Sequence, residues 1–158
     1  MMPPRTGDLL LCSGTSIWSR LVRLVTRSPY SHVAIIVCPP GLPALVLESI
    51  EWYGVRATVL AHWHHRGAVT HARVDVPFDA ERMTRWCVEQ LGRPYNWREV
   101  VEIAARLLLR LPELITHRGW ICSEYVRAAY REAGVDLAPG RYCTPGDIGR
   151  DARVRLMR

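Results

Sequence analysis

Cys122 stands in the run Gly119-Trp120-Ile121-Cys122-Ser123-Glu124-Tyr125-Val126, where an apolar pair leads into residues Val126, Ala129, Tyr130 and Ala133 at helical spacing, ended by Gly134. The cysteine therefore falls at a helix N-terminus. Unpaired backbone N–H groups and the positive end of the helix dipole favour a thiolate there, and the thiolate is the nucleophilic form. A cysteine at such a place is otherwise a small buried hydrophobe, so its chemistry depends on a base and an orienting group within reach. His32, at the mouth of the continuous apolar run Val33 to Val37, and Glu48, set among Leu45, Val46, Leu47 and Ile50, are the candidates. A carboxylate in such surroundings is costly without a partner. Thiol, imidazole and carboxylate are together the parts of a cysteine hydrolase site: the imidazole takes the thiol proton and the carboxylate fixes the tautomer of the imidazole.

These residues need elements that bring them together. The rigid connection Cys38-Pro39-Pro40-Gly41-Leu42-Pro43 joins the strand Val33 to Val37 to a strand Ala44 to Ile50. A hairpin about Gly41 sets position 32 opposite 50 and makes Glu48 its diagonal neighbour on the same face, roughly 7–8 Å away. A one-residue slip would turn Glu48 to the other face. Ahead of this hairpin, Leu9 to Cys12 reads as a strand and Ser13 to Ser16 as the cap of a helix reaching Thr26, with Ile17, Leu21, Leu24 and Val25 toward the core and Arg20, Arg23 and Arg27 outward. Gly54 to Leu60 and Ala68 to Val76 alternate as further strands, with His62, His64 and His65 on a polar hairpin tip between them. A metal there lacks a matching carboxylate or thiol in sequence, so no metal site and no cofactor is expected. His71 and His117 read as surface residues. Asp79 caps a helix to Leu91 that buries Cys87, and Asn96 with Glu99 resembles a capping box for a helix from Trp97 to Leu111, apolar over most of its circumference. That helix is expected inside the domain or, as the other reading, as a lid or peripheral membrane contact over 97–111.

With 158 residues, 49% hydrophobic and 23% charged, and no repeat or linker, the whole chain 1–158 reads as a single domain. The net charge is +6, and all 21 basic residues are arginine. They are scattered and not interleaved with aromatics, which argues against nucleic acid and leaves acidic substrates or anionic surfaces open. Five cysteines without a CxxC pair exclude a disulfide framework and fit a reducing compartment. No stretch reads as a signal peptide or a membrane span, so the expected location is cytoplasmic. Nothing in the sequence fixes the oligomeric state.

Gly7-Asp8, Ser28-Pro29-Tyr30-Ser31-His32-Val33-Ala34-Ile35, Val46-Leu47-Glu48-Ser49, Gly92-Arg93-Pro94-Tyr95, Ile121-Cys122-Ser123-Glu124-Tyr125-Val126 and Thr144-Pro145-Gly146-Asp147-Ile148 resemble the circularly permuted branch of the NlpC/P60 papain-like superfamily, the YiiX-like group related to lecithin:retinol acyltransferase-type proteins. The resemblance implies an α+β, permuted papain-like fold with a central antiparallel sheet packed against helices. It implies Cys122 as nucleophile, His32 as base and Glu48 as third polar residue, with Tyr95 lining the site near the oxyanion and Tyr30, Ser31 and Ser123 beside the substrate. It also implies chemistry through an acyl-thioester. Hydrolysis of amide bonds in cell-wall-type (peptidoglycan) peptides is the first expectation, with delivery by a phage or secretion route. A lipid acyl hydrolase or acyltransferase is the second, and a silent binding module on the same scaffold the third.

Overall fold

The computed structural model describes residues 3–96, 120–140 and 142–157. Along the chain come β1 (Leu9–Gly14), α1 (Ile17–Thr26), β2 (His32–Val37), β3 (Leu45–Ile50), β4 (Gly54–Val59), β5 (Gly67–Val74), α2 (Ala80–Glu89), α3 (Cys122–Glu132), α4 (Pro145–Arg150) and β6 (Val154–Leu156). The strands pair in the order β4-β3-β2-β1-β5-β6, every neighbouring pair antiparallel. The architecture is α+β. The helix expected over Trp97 to Leu111, and His117, lie outside the described residues.

Side-chain alternation gives the sheet two unequal faces. Leu9, Leu11, Val33, Ile35, Val37 and Leu47 point to one side and pack with Tyr125, Val126, Ala129 and Tyr130 of α3 and Met83 and Cys87 of α2. Leu10, Cys12, Ala34, Ile36 and Val46 point to the other side, where Leu60 and Trp63 cover them. The β2–β3 hairpin has the expected register, with Ile35 opposite Leu47 and Ile36 opposite Val46, so position 48 falls on the same face as position 32.

Three expectations change. The first concerns α1, whose apolar stripe faces outward over most of its length. None of its residues is fully buried. Ile17, Leu21 and Leu24 are exposed instead of facing the core, while Val25 is half-buried together with Ser19, Val22, Arg23 and Thr26, and Arg20 and Arg27 are outward as expected. The helix is fixed by its ends and not by its apolar stripe. Ser16 caps its start and Arg27 closes it in the left-handed conformation, and Gly14 lies so close to Ser19 that a Cβ on Gly14 would meet that side chain. Second, the segment 60–66 is not a hairpin tip. β5 pairs with β1 and not with β4, so the segment crosses the face of the intervening strands, opening with a 3-10 turn at Leu60–His62. Third, His71 is not a free surface residue: its Nε2 meets Asp8 Oδ2 at 2.9 Å, beside Arg73, whose Nε and Nη2 both donate to the same carboxylate at 2.7 Å. Thr144 and Asp147 form a reciprocal capping box at the start of α4, and β6 extends the sheet beside β5.

Candidate functional site

Loop contacts fix His32 before its chemistry begins. Ser13 Oγ donates to the Pro29 carbonyl at 2.7 Å, Ser31 N donates to the Cys12 carbonyl at 2.8 Å, and Ser31 Oγ accepts from Gly14 N at 3.0 Å. Behind this loop, α4 offers glycines where bulk would collide: a Cβ on Gly146 would meet Ser28, and one on Gly149 the Tyr30 ring. His32 thus enters β2 in a set position.

Glu48 is 2% exposed, yet it has a full set of donors. Its Oε2 bonds His32 Nε2 at 2.8 Å. Its Oε1 accepts from Arg56 Nε at 3.1 Å, Arg56 Nη2 at 2.8 Å and Trp63 Nε1 at 3.1 Å. Burial works against ionisation, but the bonds and charges of His32 and Arg56 prevail and lower the carboxyl pKa to about 2. Glu48 is a carboxylate at every ordinary pH.

Cys122 opens α3 with Ile121 as N-cap, and no side chain caps the helix. The first ladder bond runs from Tyr125 N to the Ile121 carbonyl at 2.9 Å, so the amides of Cys122, Ser123 and Glu124 precede the ladder and carry the positive end of the dipole. The helix start is registered on the sheet by Ser49 Oγ, which donates to the Trp120 carbonyl at 2.7 Å. Residue 49 follows the carboxylate and residue 120 precedes the thiol by two positions, so one bond couples their placement.

The Cys122 thiol lies beside the His32 ring, near enough to raise the pKa of the imidazole. With Nε2 on Glu48, Nδ1 is the nitrogen that remains for sulfur. Burial of the imidazole opposes its charge, but the bonds and charges of Cys122 and Glu48 outweigh it and raise its pKa to about 10. The arrangement therefore favours an imidazolium held against the Glu48 carboxylate. His65 stacks parallel to His32, with ring centroids 6.1 Å apart, and Trp63 stacks on His65 at 6.0 Å. Burial and then the charge of His32 lower the pKa of His65, so His65 is a neutral plate against the charged ring. His32 and Glu48 border a cleft of about 340 Å³, lined also by Ser31, Glu51, Arg66 and the start of α1, while Cys122 is buried behind them.

The remaining residues named from sequence sit as follows. Ser31 lines the cleft. Ser123 does not reach it: its side chain is buried on α3 and donates to the Cys143 carbonyl at 2.7 Å. Tyr30 turns its ring onto Gly149 and the core, away from the cleft. Tyr95 pairs through its backbone with Trp120, two positions before Cys122.

Arg56, Trp63 and His65 were not identified from sequence. For Arg56 a signal was present, since a short hairpin about Trp52 sets position 56 directly opposite 48. For Trp63 and His65 there was none without the strand order. The other cysteines are free. Cys12, Cys87 and Cys143 are buried, and burial pushes their thiol pKa values up, that of Cys87 to about 11. Among the described residues, no group of three or more His, Cys, Asp and Glu side chains is placed to hold a metal ion, and no helix is long and apolar enough to cross a membrane.

Neither a known protein-family model nor a curated protein matches the sequence. Among solved structures, the crystal structure of the metalloprotein yiiX from Escherichia coli O157:H7, DUF1105, matches with a TM-score of 0.75 and 18% sequence identity, over 98% of this chain and 97% of that one. At that identity the likeness is one of fold: this chain is similar in architecture to yiiX over nearly its whole length.

Proposed function

We propose that the protein is a cysteine hydrolase with a permuted papain-like, NlpC/P60-type fold, which cleaves amide bonds in cell-wall-type peptides through an acyl-thioester on Cys122. The observation that carries this reading is the single imidazole bonded to a buried, four-times hydrogen-bonded carboxylate and set beside a thiol at a helix start. The architectural likeness to yiiX adds support on the side of fold.

In the proposed reaction the proton of the Cys122 thiol is already held on His32 Nδ1 as part of the imidazolium, and the thiolate attacks the scissile carbonyl carbon. A C–S bond forms and the carbonyl π pair moves to oxygen, where the amides at the α3 start, with Tyr95 nearby, stabilise the charge. Collapse breaks the C–N bond, and His32 returns its proton to the departing amine. Water then gives a proton to His32 and attacks the thioester. The C–S bond breaks, the acid leaves, and the thiolate and imidazolium are restored. Glu48 stays ionised throughout and holds Nε2–H, while Arg56 and Trp63 hold Glu48.

The neighbour's description as a metalloprotein does not transfer to a step here, because the described residues offer no matching ligand group. A lipid ester or amide as acyl donor is the second reading, favoured by the exposed Ile17, Trp18 and Leu24 of α1, whose start lines the cleft. Incubation with purified peptidoglycan fragments and, in parallel, with phospholipid vesicles, followed by mass spectrometry, separates the two. A peptide-bond product lost in Cys122→Ala is expected. Released fatty acid or an acylated amine would assign the lipid reading, and no product from either would leave a binding module.

A further inference from the structure

Soluble surfaces scatter their large apolar side chains; a contiguous set on one element marks a contact face. On α1, Ile17 is 84%, Trp18 61% and Leu24 75% exposed, with Leu21 exposed between them. At helical spacing these four form a single apolar face. Its flank carries Arg20 and Arg27, both exposed, and the first turn of the helix has no acidic residue. The helix is held by its ends, so this face is left pointing outward by construction. The cleft beside His32 is lined on one side by Thr15, Ser16 and Ser19 of the α1 start and on the other by Ile50 and Glu51. Directly after Glu51 come Trp52 and Tyr53, the former 85% exposed, and Arg56 lies over the Tyr53 ring. Apolar side chains, interfacial aromatics and arginines thus border the same opening from two elements.

We propose that α1 and the β3–β4 turn form a docking face for an anionic lipid bilayer, with the cleft opening toward the headgroups between them. An apolar stripe flanked by basic residues binds the interface by burying the stripe at the acyl boundary and placing the cations among anionic headgroups. Trp18, Trp52 and Tyr53 have the ring chemistry that settles at headgroup depth. Arginine suits this role because its charge is fixed and its guanidinium pairs with phosphate in bidentate geometry. The anionic bilayer is favoured over a second copy of the chain by this charge complementarity, since two copies meeting through α1 would bring Arg20 and Arg27 of each close to their counterparts. The attachment is independent of which bond the site cleaves and does not use Cys122.

Flotation with vesicles of phosphatidylglycerol and phosphatidylcholine, against phosphatidylcholine alone, tests this on the full chain. The wild type and Cys122→Ala float equally with the anionic vesicles and at least tenfold more weakly with the neutral ones. Ile17→Asp and Leu24→Asp, placed at exposed positions, keep the wild-type circular dichroism and melting point and lose binding at least tenfold. Arg20→Ala and Arg27→Ala weaken it about fivefold each. Absence of wild-type flotation, or flotation undiminished in Ile17→Asp and Leu24→Asp, would overturn the proposal. So would a dimer in light scattering that the two Asp variants dissolve, because the face would then belong to a second copy.

Discussion

Glu48 is the residue whose environment departs furthest from its usual one, and its partners make it testable apart from the thiol. Its folded-state pKa lies at about 2, below the ordinary 4.5, so its contribution to stability is complete above about 4.5 and is lost as pH falls toward 2. His32 behaves in the opposite sense. Its pKa is raised from 6.5 to about 10, so its contribution is complete below 6.5 and is lost as pH rises toward 10. Thermal melts across this range should show wild-type stability declining at both ends, with the acid decline shallower in Glu48→Gln and the alkaline decline shallower in His32→Ala. Trp63→Phe removes one neutral donor to Glu48 and should lower stability by about 1 kcal/mol. Glu48→Gln should slow the acylation burst with p-nitrophenyl acetate by roughly 10²-fold or more; an unchanged burst would mean that another group orients His32. The pairing of His32 with Glu48 is legible in the sequence, because the hairpin about Gly41 sets both on one face of the sheet. Ser123 was misplaced because adjacency to the cysteine is not proximity to the cleft: one step along a helix turns the side chain by about 100°.

At the scale of elements, periodicity located every described strand of the sheet except β6 and the principal helices, but it did not orient α1. The ordinary rule for amphipathic helices turns Ile17, Leu21, Leu24 and Val25 to the core, and only Val25 is half-buried there. The anchors at Ser16, Arg27 and Gly14 decide otherwise, and they act through local geometry that a hydrophobic pattern does not encode. The crossover 60–66 was hidden for a related reason, since its path depends on β5 choosing β1 as partner. The contrast between α1 and α3 is measurable. Leu24→Ser should leave the melting point nearly unchanged, whereas Tyr125→Ala, at a fully buried position packed on Trp86, should cost about 3–5 kcal/mol. Gly54, at φ 72°, is a further element-scale constraint. A Cβ there would strike the Arg93 carbonyl, which accepts from Val55 N, so Gly54→Ala should destabilise the fold and displace the loop that carries Tyr95.

Across the whole molecule, two buried carboxylates hold the sheet at opposite places. Glu48 belongs to the cleft, while Asp8 ties the N-terminal stretch to β5 through Arg73 and His71. Asp8→Asn would leave the buried Arg73 guanidinium without its counter-charge, and equilibrium unfolding should show a loss of about 3–5 kcal/mol with little change in the reactivity of Cys122. The sequence placed Asp8 at the start of a strand and left His71 without a partner, because a contact spanning the distance from β1 to β5 becomes visible only when the strand order is known.

Central to the functional reading is that His32, held by Glu48, activates Cys122, and per-cysteine alkylation tests this most directly. The protein would be treated with iodoacetamide at pH 7 and the label at each of the five cysteines followed by mass spectrometry. Cys122 should be modified at least tenfold faster than the half-exposed Cys38 and faster still than Cys12, Cys87 and Cys143, whose thiols burial keeps protonated. In His32→Ala the Cys122 rate should fall at least tenfold while the others hold. A Cys122 that reacts no faster than Cys38, or whose rate is indifferent to His32, would contradict the account.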